Sequence, residues 1–416
     1  MMTKRTTEKP SVDAGPGGCI AKCVLAVIVL AVGCSSAFAG DLERRQAKRI
    51  HDRLAGVPPT DEIVGPSGET TLDLMEADIV AGHPEAAAQR AMDNPAFYSV
   101  TLKNFAMPWT NRAQDVFAPL NDYVATVIGM VRDDVPFDEV LSGDIIYIGD
   151  SSKVPGLPAY SNSNNDHYAY LEAHSADLKD VLVQRSQSVT TGLPASATAG
   201  VITTRAAARA FFINGTNRAM FRFTMINHLC TDLDPIKDIT RDPGRVRQDV
   251  SRSPGGDSRI FLNNCVGCHA AMDPMVQAFA YYNFEYPAGN EDGGQLVYTP
   301  GSVQPKYHIN SDTFKYGYIT PDDHWDNYWR VGPNSALGWS TSLSGTGDGA
   351  KSLGQELAAS EAFAQCQVKK VFKTVCLRDP TTADGTDVNN LVSLFKSSNY
   401  DLKAVFAGAA VACMGD

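Results

Sequence analysis

Two cysteines three positions apart, followed at once by histidine, occur at Cys265-Val266-Gly267-Cys268-His269. This spacing constrains the chain more than any other feature. On a helical turn it lets two thiols add to the two vinyl groups of one porphyrin, while the next residue offers an imidazole to the iron. The motif therefore reads as a covalent haem site, with Cys265 and Cys268 as attachment points and His269 as proximal ligand. The competing readings are a redox-active dithiol and half of a zinc site. Zinc would call for a second Cys or His pair at similar spacing, and the sequence has none.

The N-terminus gives the compartment that such chemistry needs. Lys4, Arg5, Lys9 and Lys22 precede an apolar run, Cys23 to Gly33, and then Ala37-Phe38-Ala39. These are the charged, apolar and small-residue regions of a secretory signal, with cleavage expected after Ala39. The run falls well short of the roughly 20 residues that span a bilayer. Ala31-Val32-Gly33-Cys34 also approximates a lipoprotein box, so a lipid anchor at Cys34 is the alternative. Haem is attached to such motifs outside the cytoplasmic membrane, so leader and motif support one another.

Nine cysteines then divide cleanly. Cys19, Cys23 and Cys34 fall in the leader and two hold haem. Cys230, Cys366, Cys376 and Cys413 remain, an even number that suggests two disulfides in an oxidising compartment, with four buried thiols as the alternative. Cys366 and Cys376 share a helical stretch, where ten residues cover roughly 15 Å. A disulfide needs Cα atoms within about 7 Å, so each is expected to pair with Cys230 or Cys413.

The 416 residues carry a formal charge of −11, which becomes −13 once the leader's four basic and two acidic residues are removed. That balance argues against nucleic acid and anionic membrane as partners and suits a basic redox partner. Helical periodicity recurs along the chain: 41–54, 84–107, 115–130 (with Val116, Leu120, Val124, Val127 and Ile128 on one face), 204–212 capped by Thr204, and 216–228. Further helices are expected at 353–377, 388–396 and 402–413. Ile145 to Ile148 reads as a strand, and Gly156 to Asn165 as a surface loop. Asp257 or Ser258 caps the motif helix, which Asp273-Pro274 is expected to end, with Asp273 capping a new helix.

The chain is thus expected to be mainly α: a leader (1–39), an N-terminal helical domain (40–195), a haem region (196–290), a loop-rich insertion (291–345) and a C-terminal helical module (346–416). The polar stretch Ser186 to Ala199 is the expected boundary before the haem region.

Asn264 to Pro274, read as N-C-V-G-C-H-A-A-M-D-P and followed by Gln277-Ala278-Phe279-Ala280, resembles the haem segment of planctomycete-type multi-domain cytochrome c proteins. Arg49 to Pro59 is similar to the N-terminal helical module of that family. Lys351-Ser352-Leu353-Gly354 with Phe363 to Phe372 is similar to its C-terminal module. The resemblance implies an exported, multi-helical protein with one covalent haem; it names no substrate. The chain departs from the family pattern at 283–286 and across 290–345.

The sixth iron ligand is open. No methionine lies between Met275 and Met414. Met272 and Met275 follow His269 on the proximal side and read as core packing. His308 and His324 in the insertion are the candidates, with Met220, Met225 and His228 behind them and a vacant site as a further option. Arg218 and Arg222, four apart on one helix, could meet the haem propionates, or else pair with carboxylates near Asp232 and Asp234. Trp325, Tyr328 and Trp329 could shield a haem edge or simply pack as an aromatic core cluster. Three functions remain: an electron-transfer cytochrome, a peroxidase-like or oxidative haem enzyme, and a haem-bearing subunit of a larger exported complex. Electron transfer is the favoured one.

Overall fold

The computed structural model describes residues 40–308 and 312–415. The cleavage expected after Ala39, and Cys34, lie outside them. The fold is mainly α, with six short strands paired as three two-stranded antiparallel sheets among the described residues. No described helix is long and apolar enough to cross a membrane.

Residues 40–55 form the first helix and bury Ala47, Ile50 and Leu54. Arg44 bridges Asp73 (2.8 Å) and Glu76 (2.7 Å) on the next helix, Thr71–Val80, which a reciprocal Thr70–Asp73 capping box starts. Pro84–Met92 follows with proline in its first turn, the position where a missing N–H costs nothing.

The helix expected over 115–130 begins only at Asp122. Asn121 Oδ1 accepts from Val124 N and fixes the start, while Pro119 disfavours helix before it. Val116 and Phe117 are left exposed. Every residue from Asp122 to Val131 is buried, as in a helix enclosed on all sides. Against it lies Ile146–Gly149, the expected strand one residue late, paired with Leu182–Arg185.

The polar stretch 186–199 is a packed seam rather than a linker. Gln187 is fully buried, donates to Gly200 O (3.0 Å) and accepts from Thr203 Oγ1 (2.7 Å). Strands at both edges of the insertion pair with strands inside it: Tyr282–Glu285 with Gln295–Tyr298, and Thr346–Asp348 with His324–Asp326. Trp325 and Trp329 sink this irregular segment into the core.

Four helices close the chain: Gly349–Ala358, Glu361–Cys376, Gly385–Ser397 and Leu402–Ala412. The single helix expected over 353–377 is divided at Ser360, whose hydroxyl caps Phe363 N. Phe406 on the last helix meets Phe97 and Phe105 edge-on at 5.2 and 5.4 Å. One hydrophobic core runs from Ala47 to Ala410 and joins segments on both sides of residues 195, 290 and 345.

The cysteines pair as Cys230–Cys366 and Cys376–Cys413, with Cα separations of 5.2 and 5.6 Å. Cys366 and Cys376 share one helix and bond away from each other, as the spacing requires.

Candidate functional site

The motif lies where an entry turn passes into a helix. Asp257 Oδ1 accepts from Arg259 N (2.9 Å), and the chain winds through Phe261–Cys265 into Val266–Val276. Ala271, Met272, Met275 and Val276 face the main core. Cys265, Val266 and Ala270 pack instead with Val246, Val250 and Phe261 in a separate small cluster. One helix thus carries the thiols on one side and is anchored by the other.

Neither motif cysteine is in a disulfide, and both are partly exposed. Cys268 Sγ approaches Leu233 O at 3.7 Å, and burial pushes its thiol pKa up. Between the thiols, Gly267 O accepts from Asp238 N (2.8 Å). A side chain at Gly267 would press on Ile239 and Lys237, so the absent Cβ lets that strap lie close. Exposed apolar side chains gather here: Ile239 is 65% exposed, and Ile260 and Leu262, just before Cys265, are 40% and 56% exposed. Ile239, against Gly267, is bare aliphatic surface of the kind an attached porphyrin would cover.

His269 is oriented from below. Its Nδ1 lies 3.1 Å from Asp273 Oδ1, one helical turn on. Asp273 is completely buried. Burial alone would raise its carboxyl pKa, but the charges of Arg218, His269 and Arg247 and the His269 hydrogen bond hold it well below the usual range. With Nδ1 turned to that carboxylate, Nε2 is the ring nitrogen left to meet a metal.

These residues fit the haem: two unpaired thiols, one imidazole with its free nitrogen defined, and apolar cover. Cys265 and Cys268 would hold it and His269 would ligate the iron. Among the described residues no three His, Cys, Asp or Glu side chains converge on an ion. A porphyrin supplies four nitrogens itself and asks the protein for an axial ligand, not a cage.

Asp273 overturns a local expectation. The helix continues through Pro274 to Val276 with no new start. Asp273 does not cap its own backbone because Arg218 Nε and Nη2 (2.7 and 3.0 Å), His269 and Arg247 N (3.2 Å) take its oxygens. The missing proline N–H deprives only one carbonyl of the ladder.

The same network corrects the propionate reading. Arg218 gives its remaining donors to Asp249 (2.7 and 2.9 Å) and Thr216 (2.9 Å), so the whole guanidinium fork is committed within the protein. Arg222 pairs through two nitrogens with Asp232, at 2.7 and 2.6 Å. Arg222 thus follows the alternative at Asp232, whereas Arg218 pairs with Asp249 and Asp273, which that alternative did not include. Asp249 and Arg247 were not singled out by the sequence; the only trace of the network was an aspartate four residues after the histidine.

Met220, Met225, Met272 and Met275 are core residues. His228 is buried, its Nε2 2.7 Å from Tyr123 OH and its ring beside Trp109 and Phe363. Burial and then the Lys370 charge hold it well below the usual histidine range. His324 is half-exposed, with Nδ1 2.9 Å from Asp348 and Nε2 3.1 Å from Thr346 Oγ1, so the hairpin engages both ring nitrogens. His308 is half-buried after the turn Pro305–Tyr307. Trp325 donates to Ser352 Oγ (2.8 Å), and with Trp329 it belongs to the core; Tyr328 packs against it.

Comparison with known protein families, with curated proteins and with solved structures gives no match.

Proposed function

We propose that the protein is an exported monohaem c-type cytochrome that passes single electrons to or from another redox protein. The observation that carries this reading is the joint state of the motif. Cys265 and Cys268 are free and accessible on one helix, and His269 is held through Nδ1 by a buried carboxylate. Bound haem would supply a one-electron iron couple. The chain's own part is to fix the ligand's orientation, cover the ring with apolar side chains and present an acidic exterior to a basic partner. Two disulfides suit an oxidising compartment, in accord with a leader cleaved after Ala39 or lipidated at Cys34. The resemblance of the haem segment to planctomycete-type cytochrome c proteins supports the same reading.

A second reading, a haem enzyme of peroxidase-like or oxidative type, is favoured by one observation. His324 has both nitrogens engaged, and the upstream His228 and methionines are buried in the core, so a displaceable sixth site is compatible with this fold. Optical spectra through a redox titration separate the two. A carrier stays six-coordinate and low-spin in both states and does not take up carbon monoxide quickly. A high-spin protein that binds carbon monoxide or cyanide rapidly overturns the carrier reading in favour of the enzyme.

A further inference from the structure

We infer that Asp273 is a positioning residue that lowers the reduction potential of iron held by His269. The inference rests on the haem reading above.

The geometry is specific to the helix. A spacing of four residues stacks the carboxylate over the imidazole edge at 3.1 Å, and complete burial of the Asp273 side chain leaves no water to compete for the bond. An ionised acceptor draws on the Nδ1 proton harder than a neutral carbonyl does. The imidazole then becomes a stronger donor through Nε2. Stronger donation favours ferric over ferrous iron, so the potential falls.

Arg218 holds the same carboxylate from its other side. It binds Asp273 through two N–H groups and Asp249 through two more, while Arg247 lies 3.5 Å from Asp249. The two arginines balance the two aspartates in charge. The Asp273 oxygens are divided among the Arg218 guanidinium, His269 and Arg247 N. Asp249 is the internal control, because it shares Arg218 and the same charge but makes no contact with His269.

The test compares midpoint potentials of haem-loaded wild type, Asp273→Asn and Asp249→Asn. Asp273→Asn is expected to shift the ferric/ferrous ratio about tenfold toward ferrous iron, ~59 mV upward for one electron. Asp249→Asn is expected to move it much less than Asp273→Asn. The His269 Nδ1 proton resonance in the ferrous protein should shift in Asp273→Asn, return toward its native position in Asp273→Glu and stay put in Asp249→Asn. If Asp273→Asn does not fold, Asp273→Ser takes its place, and an upward shift no larger than that of Asp249→Asn overturns the inference. Covalently loaded Asp273→Asn with an unchanged potential, or one matched by Asp249→Asn, overturns this inference alone. Wild type that takes up no haem overturns the haem reading and this inference with it.

Discussion

Lys370 shows at the scale of one side chain what burial costs this protein. The residue is half-buried overall, but its ammonium turns inward, 4.4 Å from the centre of the Trp109 ring, and donates to Asn227 O. Burial lowers its pKa to about 7 from an ordinary 10.5. Below pH 7 folded and unfolded chains both hold the proton, so the cost is present in full. Between pH 7 and 10.5 the unfolded chain binds more protons, and stability rises with pH. Lys370→Met should therefore stabilise the protein at pH 6, and about 2 kcal/mol of that advantage should be gone by pH 9. Urea titrations at the two pH values check this; an advantage that ignores pH would show that charge burial is not the cause.

At the scale of elements, legibility followed how local the cause is. Thr204 was readable as a cap because its hydroxyl meets a backbone N–H three residues on. The opposed pairing of Cys366 and Cys376 was readable because helical rise alone separates them. The 115–121 segment was misread because an Asn121 cap outweighs a good apolar pattern. Asp273 was misread because its partners lie 26 and 55 residues away along the chain. Removing Cys376–Cys413 by double serine substitution should cost about 2–4 kcal/mol, and removing Cys230–Cys366 somewhat more. The second bond closes the longer loop, with a separation of 136 residues against 37. Denaturant midpoints check the order. Gly354 gives a sharper test of docking, since a Cβ there would overlap Leu141 O on the turn Phe137–Leu141. Gly354→Ala should lose about 1–3 kcal/mol or more, measured by thermal melting; a neutral result would mean that the helix Gly349–Ala358 does not pack so closely on the N-terminal half.

The whole molecule is held by a core that draws on segments from Ala47 to Ala410. Trp109 reports on the N-terminal half, and Trp325, Trp329 and Trp339 on the insertion. Unfolding followed by tryptophan fluorescence and by far-ultraviolet circular dichroism should give coincident transitions. Two separated transitions would mean that the modules stand independently. Within this frame the central claim is chemical: Cys265 and Cys268 carry one haem that His269 ligates. The most direct measurement is the intact mass of acid-denatured protein made in a host with a c-type maturation system. The account predicts a chain heavier by one haem, still coloured after denaturation, and no haem on the Cys265→Ala/Cys268→Ala double variant. A bare polypeptide mass from that host, or colour that extracts on denaturation, would contradict it.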